Sequence, residues 1–225
     1  MRWIDRAFIW TALATLPVAA QQPPAAPSVR YVAVLDPAHG GTDAGGRLAS
    51  GQLEKTAALT LAVRLRSLLM ARGISVVSTH ESDITLDPNR RAAIANHAKA
   101  QLCLILHASE SGSGVHLFVS SLAPAQPVLF PPWKTAQAAW VPRSLALAGS
   151  LNSAVGQAGL NVALGRTSLP GLDSMTCPAV AVELAPLRAQ DGTVTAEPDD
   201  ASYQAKVAAA LAAAVLAFRS EPRQP

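Results

Sequence analysis

The segment YVAVLDPAHGGTDAGG, residues 31–46, decides the fold class of this chain. Its first six residues, Tyr31–Asp36, form an apolar run that ends at a proline and a cluster of glycines. This pattern predicts a buried strand followed by a tight turn. Similar runs recur at residues 74–79 (ISVVST), 102–107 (LCLILH) and 179–184 (AVAVEL). Because helical patterns lie between these runs, we expect a single α/β domain whose mostly parallel, mixed and twisted sheet carries helices on both faces.

The segments between the strands have apolar residues at helical spacing. Helices are predicted over residues 54–72, 88–99, 143–157 and 203–218. Residues 115–120 (VHLFVS) are predicted to form an edge or antiparallel strand, because the connection before them is short. The stretch Leu122–Pro142 contains five prolines, and these exclude a long helix there.

The composition is typical of a globular protein. Half of the 225 residues are apolar, 15% are charged and the formal net charge is +3. These values exclude a disordered chain, and the lack of a dense basic run argues against nucleic acid as a partner. Cys103 and Cys177 are too few for a disulfide-rich scaffold, and the sequence favours buried free thiols over a bridge between them.

The N-terminal sequence is typical of a secretory signal peptide. Arg2 and Arg6 precede a mostly apolar run of 14 residues from Ala7 to Ala20, shorter than the roughly 20 residues of a membrane-spanning helix. We therefore predict a signal peptide over residues 1–20, a periplasmic or secreted location, and no transmembrane anchor after signal removal. The predicted organisation continues with a linker (21–28), a catalytic domain (29–220) and a short tail (221–225).

Four potentially reactive side chains are predicted at one edge of the sheet. His39, His107 and Glu183 follow or close apolar strands, and Glu54 opens the helix after the first strand. Parallel strands meet at their carboxyl ends, so these side chains are expected to converge. Two imidazoles and one carboxylate are a common ligand set for catalytic zinc, which leaves the other carboxylate as general base. Simpler explanations are also open, since a strand-end His is often a surface residue and Glu54 suits a helix N-terminus.

Other polar residues near these positions have more modest predicted roles. Asp36 and Asp43 are candidates for orienting His39. His80 follows the second strand and is a candidate for the rim of the site. The two other histidines, His97 and His116, are predicted to be structural.

Five ordered motifs resemble those of a known family. Residues 36–45 (DPAHGGTDAG) resemble the DPGHGGxDxG signature of the bacterial zinc-dependent N-acetylmuramoyl-L-alanine amidases of the cell-separation type. Four later segments are similar to that family's next motifs: residues 54–55 (EK), 91–96 (RAAIAN), 106–109 (LHAS) and 178–184 (PAVAVEL). Together the motifs cover most of the chain after the predicted linker.

This resemblance implies a set of site residues and a reaction. Zinc would be held by His39, Glu54 and His107, and Glu183 would be the catalytic carboxylate, acting as general base on a zinc-activated water. The reaction implied is hydrolysis of the amide bond between N-acetylmuramic acid and L-alanine, with peptidoglycan as the partner.

The chain departs from the family pattern around the motifs. Ala38 replaces a glycine, His80 stands where arginine is usual, Ser109 replaces asparagine, and residues 185–187 (APL) replace the usual segment after the catalytic glutamate. None of these changes removes an implied ligand, so we expect them to affect substrate fit more than metal binding.

The proline-rich stretch Leu122–Pro142 bears on regulation. Some family members carry a long helix between the third ligand and the catalytic glutamate, which blocks the zinc until an activator binds. The prolines predict a cleft that no such helix closes, and any activator protein is unidentified. Trp133 and Trp140 within this stretch either line the cleft or pack on the domain surface.

Two alternative functions remain open from the sequence. One is a zinc carboxypeptidase or endopeptidase that cleaves the stem peptide. The other is a catalytically impaired cell-wall binding module with the same fold, which the altered residues after Glu183 favour and the complete set of four site residues disfavours.

Overall fold

The computed structural model describes residues 30–129 and 132–221. The predicted signal peptide (1–20) and linker (21–28) lie outside the described residues, as does the predicted tail after Glu221. The domain boundaries at residues 29 and 220 remain predictions.

The described residues form an α/β domain with one large and one small sheet. Their strands are β1 (Val32–Pro37), β2 (Ser75–Ser78), β3 (Leu102–Ala108), β4 (Val115–Ser120), β5 (Val162–Thr167), β6 (Ala179–Leu184), β7 (Leu187–Arg188) and β8 (Val194–Ala196). Their helices are α1 (Glu54–Met70), α2 (Pro88–His97), α3 (Val141–Gln157), α4 (Pro170–Asp173) and α5 (Ala201–Ser220), with a 3₁₀ helix over Trp133–Ala139. The large sheet has the order β2-β1-β3-β6-β4-β5, and β7 pairs with β8. All neighbours in the large sheet are parallel except β4 and β6, so the predicted mixed, mostly parallel sheet is confirmed.

Strand β5 was not predicted, and it changes the position of β4. The prediction of an antiparallel β4 is confirmed by its pairing with β6, but β4 is an interior strand because β5 covers its other side. Gly165 and Arg166 interrupt the apolar pattern of β5, which is largely exposed at the sheet edge. Edge strands of this kind lack the buried apolar run by which interior strands are recognised.

Alternating side chains of the strands build a core on each face of the sheet. Leu104 and Leu106 of β3 pack in the larger cluster with α1, α3 and α5, whereas Cys103 and Ile105 pack in the smaller cluster with α2 and α4. Because side chains alternate along a strand, His107 belongs to the face of α2 and α4. Functional side chains at the ends of neighbouring strands thereby share one face.

The two cysteines are bridged, so the prediction of free thiols is wrong. Cys103 and Cys177 form a disulfide with a Cα–Cα distance of 6.2 Å across a sequence separation of 74 residues. Cys103 lies on β3 opposite Ala179, and Cys177 precedes β6, so the pairing of these strands brings the two thiols together. This strand order decides the contact, and sequence spacing carries no signal for it.

Helix α5 is apolar because it is a core helix. Among the described residues it is the one helix whose length and composition would suffice to cross a membrane, and 56% of its apolar window is buried in the domain. Asp200 caps its N-terminus with a carboxylate that accepts a hydrogen bond from the Tyr203 amide, and the helix packs against α1 and α3. The buried stripe explains its hydrophobicity without a bilayer.

Candidate metal centre

Three elements bring two imidazoles and a carboxylate together at the carboxyl edge of the parallel strands. His39 lies in the turn after β1, Glu54 opens α1, and His107 is the penultimate residue of β3. One potential ligand atom from each lies within 4.8 Å of the others. The imidazole rings meet edge to face, with centroids 5.4 Å apart. The predicted convergence of these three residues is therefore seen in the fold.

Glu54 lies between the two histidines. Its Oε2 is 3.1 Å from His39 Nε2, and its Oε1 is 2.8 Å from His107 Nδ1. The Gly46 amide also donates a hydrogen bond to Oε2 at 2.8 Å. Burial by itself would raise the pKa of Glu54, but the hydrogen bonds from His107, His39 and Gly46 outweigh it and hold the pKa well below its usual range. The carboxylate is thus ionised at neutral pH.

Asp43 orients His39 as predicted. Its Oδ2 is 2.9 Å from His39 Nδ1, which leaves Nε2 directed at Glu54. The hydrogen bond to Glu54 raises the pKa of His39, burial opposes this, and Asp43 adds to the rise. A carboxylate on the second nitrogen fixes the tautomer and the ring plane of a metal-binding histidine.

Asp36, the other candidate for orienting His39, acts through Arg91 instead. Asp36 accepts hydrogen bonds from Arg91 Nη1 at 2.8 Å and from Thr79 Oγ1 at 2.6 Å. The same guanidinium donates to the carbonyls of Pro37 at 2.6 Å and His39 at 2.5 Å. This buried pair therefore holds the backbone that carries His39. The RAAIAN motif marked Arg91 in the sequence, but only the fold shows what its side chain holds.

His80 is not at the rim of the site. It is 6% exposed and lies beneath the glycine turn, where its Nε2 is 3.4 Å from the position that a Cβ on Gly40 would take. Burial, together with the charge of Arg91, lowers the pKa of His80. Thr79 and Arg91 are within hydrogen-bonding distance of its Nδ1, at 3.1 and 3.5 Å. Its role is therefore to support the turn from below.

Glu183 lies on the strand next to His107. The two residues are register partners in the parallel pair β3–β6, so their side chains leave the same face of the sheet. The Glu183 side chain is partly exposed, and its Oε1 is 2.9 Å from Nδ1 of His116. Sequence reasoning missed this contact, because only the antiparallel register of β4 and β6 places His116 opposite Glu183.

His97 lies at the exposed end of α2, where its Nδ1 is 2.7 Å from the carbonyl of Ala93.

An open cavity of about 140 Å³ adjoins His39 and His107. Its apolar wall comes from the start of α2 and from α4, through Leu86, Pro88, Leu169, Pro170 and Leu172. Neither tryptophan of the proline-rich stretch lines this cavity. Trp140 instead borders a larger cavity of about 500 Å³ at the amino end of the parallel strands.

The proline-rich stretch has no long helix in its described residues, 122–129 and 132–142. It contains the 3₁₀ helix Trp133–Ala139 and the first two residues of α3. Helix α3 packs against α5 and β4, in the core cluster on the face away from α2 and α4. The prediction that a long helix does not form here is confirmed.

The donor set suits a divalent metal ion. Two imidazoles and an ionised carboxylate match the ligands of catalytic zinc, with a position left for water. The Asp43 carboxylate supplies the outer hydrogen bond that such a histidine needs. Gly45 also shows how closely the chain wraps the ligands, because a Cβ there would lie 2.6 Å from His39 Cδ2 and 2.7 Å from Glu54 Oε2. These residues therefore fit a zinc ion.

Sequence comparison matches most of the chain to one family. The family model described as N-acetylmuramoyl-L-alanine amidase (Amidase_3) matches residues 33–217. The germination-specific N-acetylmuramoyl-L-alanine amidase of Bacillus subtilis (strain 168) is 34% identical over 102 residues, covering 37% of this chain and 43% of that protein. The N-acetylmuramoyl-L-alanine amidase AmiA of Escherichia coli (strain K12) is 38% identical over 79 residues, covering 35% of this chain and 27% of that protein. The aligned segments thus span less than half of either relative.

Solved structures of similar fold include two amidases of low sequence identity. The catalytic domain of CwlV, an N-acetylmuramoyl-L-alanine amidase from Bacillus (Paenibacillus) polymyxa var. colistinus, superposes with a TM-score of 0.66 at 22% identity, covering 84% of this chain and 98% of that one. The CwlD amidase from Clostridioides difficile, solved in complex with the GerS lipoprotein, superposes with a TM-score of 0.66 at 20% identity, covering 85% of this chain and 99% of that one. At these identities the likeness establishes the fold.

Proposed function

The chain belongs to the N-acetylmuramoyl-L-alanine amidase family, and we propose that it is an exported zinc hydrolase that cleaves the amide bond between N-acetylmuramic acid and L-alanine of peptidoglycan. The observation that carries this proposal is the convergence of His39, Glu54 and His107 beside Glu183 on the adjacent strand. An amide hydrolase needs an activated water, a proton acceptor and an open cleft, and the described residues supply a setting for each.

The proposed roles follow from the charges and contacts of the four residues. His39, Glu54 and His107 would hold zinc, and Asp43 would keep the His39 ring in place. Bound zinc supplies a Lewis acid and lowers the pKa of water toward about 7. Glu183 would accept the proton of the attacking water and return it to the departing amine nitrogen of L-alanine. The partly exposed side chain of Glu183 gives it access to a substrate in the cleft.

Two further features support a substrate outside the inner membrane. The N-terminal sequence matches a signal peptide in order and length. The Cys103–Cys177 bridge suits an oxidising compartment such as the periplasm. Peptidoglycan is reached from that side of the membrane, so export and the proposed substrate agree.

The test is digestion of purified muropeptides and intact sacculi by the zinc-loaded protein, followed by mass spectrometry. We expect release of free stem peptides that begin with L-alanine, and loss of this product after chelation. Glu183→Gln keeps the size of the side chain but removes the proton acceptor, so it should bind zinc normally and lose nearly all turnover. The matched control is Glu221→Gln, because Glu221 borders the cavity at the opposite end of the sheet.

The other outcomes identify the alternatives. Cleavage within the stem peptide would replace the amidase assignment with a peptidase on the same metal site. Zinc binding without any cleavage would contradict the proposal and favour a cell-wall binding module. Activity is expected without an added protein, because the described part of the proline-rich stretch forms no long helix over the cleft. Latency relieved only by a partner would contradict that open cleft while leaving the amidase chemistry in place.

A further inference from the structure

Strand β4 carries a histidine to the side chain of Glu183, the proposed proton acceptor. His116 and Glu183 are directly opposite in the antiparallel pair β4–β6. Directly opposite residues in an antiparallel pair project from the same face with their Cβ atoms about 5 Å apart. The contact therefore follows from the sheet register itself, and no loop is needed to bring the two groups together.

The hydrogen bond between them uses one nitrogen and one oxygen. His116 Nδ1 lies 2.9 Å from Glu183 Oε1, within the normal range for an N–H···O bond. A carboxylate oxygen accepts hydrogen bonds, so this bond requires His116 to donate through Nδ1–H. With Oε1 engaged in this way, Oε2 is the oxygen left to receive a proton.

The imidazole ring is itself held from two sides. Phe118, two residues further along β4, meets it edge to face with centroids 6.3 Å apart. The loop before β4 passes so close that a Cβ on Gly112 would lie 2.3 Å from His116 Cε1 and 2.9 Å from Nε2. Gly112 has a φ of +89°, which also favours glycine there. A ring restricted by both neighbours can act as a fixed donor.

We propose that His116 is a positioning residue, which holds the Glu183 carboxylate in one orientation so that Oε2 faces the cleft. The inference rests on the proposed function, since it assumes that Glu183 accepts a proton during catalysis. A general base must be held in the correct geometry to work, and a displacement of about 1 Å can cost about 100-fold in rate. Without the Nδ1–H donor, the carboxylate would rotate among several orientations, and few of them would be productive.

The test compares two substitutions that differ in the donor. His116→Phe keeps a ring of similar size but has no donor, so kcat should fall by about 10- to 100-fold while KM and zinc content stay within about twofold. His116→Asn places an amide nitrogen near the position of Nδ1, and it should recover much of the lost kcat. His97→Phe is the matched control, because His97 is exposed on α2, and its kcat should not change. The melting temperature of each variant shows whether it folds.

Three results would overturn the proposal. The first is an unchanged kcat in His116→Phe. The second is an equal loss of kcat in the Phe and Asn variants. The third is that His116→Phe lowers the residual rate of Glu183→Gln by the same factor as it lowers the rate of the wild type, because the two residues would then act independently. A purely structural role would lower the melting temperature of both variants without separating their kcat values. If His116→Phe does not fold, His116→Gln takes its place, because its amide extends beyond the Nδ1 position.

A spectroscopic measurement separates this inference from the proposed function. Imidazole ¹⁵N shifts should report His116 as the Nδ1–H tautomer in the wild type, and this signal should move in Glu183→Gln. A wild type without amidase activity would contradict the proposed function, whereas the ¹⁵N shifts would still decide whether the His116–Glu183 bond exists. An Nε2–H tautomer, or a signal that does not respond to Glu183→Gln, would contradict the inference alone.

Discussion

Replacement of Gly45 by alanine should damage the metal centre more than the fold. Gly45 has a φ of +66°, and an added Cβ would lie 2.6 Å from Cδ2 of His39 and 2.7 Å from Oε2 of Glu54. Two of the three proposed ligands therefore lie against the position that a side chain at residue 45 would occupy. The substitution adds a methyl group where a site built from fixed ligands has no room for it.

The size of the effect follows from these distances. An ordinary Cβ contact begins near 3.4 Å, so His39 would have to move by about 0.8 Å and Glu54 by about 0.7 Å. Metal–ligand distances tolerate about 0.2 Å, which means that the ion cannot keep all three ligands at their best positions. We expect zinc affinity to fall by about 10- to 100-fold, equivalent to about 1.4 to 2.7 kcal/mol. The left-handed backbone conformation should lower stability by a further 1–2 kcal/mol or so.

Competition with a chromophoric zinc chelator measures the affinity, and chemical denaturation of the metal-free protein measures the stability. Gly51→Ala is the matched control, because Gly51 has a φ of +89° and nothing within 4 Å of its missing Cβ. Gly51→Ala should lose similar stability but keep the zinc affinity of the wild type. Equal zinc affinities for Gly45→Ala and the wild type would refute the placement of the ion between His39 and Glu54.

Three other perturbations test the surroundings of the site. Asp43→Asn should weaken zinc binding by about 10-fold, because His39 loses the carboxylate that fixes its ring; an unchanged affinity in the same chelator assay would contradict that role. Replacing both Cys103 and Cys177 by alanine frees a loop with a separation of 74 residues, so the free energy of unfolding should fall by about 2–4 kcal/mol and the melting temperature by about 10 °C; a melting temperature within 2 °C or so of the wild type would contradict this stabilising contribution of the bridge. Burial and a neighbouring guanidinium lower the pKa of His80, so the unfolded chain takes up a proton before the folded one does as the pH falls below 6.5. The zinc-loaded wild type should therefore lose more stability between pH 7 and pH 5 than His80→Gln does, and urea midpoints with equal pH dependence would exclude this contribution.

The elements with strong local signals were predictable from the sequence. The interior strands β1, β3 and β6 each consist of an apolar run with one polar residue near its end, and α2 is capped by Asp87, whose side chain accepts hydrogen bonds from the amides of the first turn. Strand β5 was missed because its side chains are largely exposed and a glycine interrupts it. Buried apolar residues and helix caps leave recognisable patterns in the local sequence, whereas an exposed edge strand has neither pattern.

The same division applies to the candidate site. The placement of His39, Glu54, His107 and Glu183 was predictable, because the carboxyl ends of parallel strands and the start of the following helix lie at one edge of a sheet. The roles of Arg91 and His116 were not predictable, since each acts on a residue more than 50 positions away. A contact of that kind depends on which strands or helices become neighbours in the fold.

The sequence by itself therefore determined the α/β class and the position of the four candidate side chains at one edge of the sheet, because hydrophobic periodicity and strand-end positions are local properties. Only the tertiary structure decided that β6 lies between β3 and β4. That strand order sets Glu183 between His107 and His116 and joins Cys103 to Cys177. The physical reason is that the order and register of strands minimise the free energy of the whole sheet and its two cores, to which residues far apart in the chain contribute together.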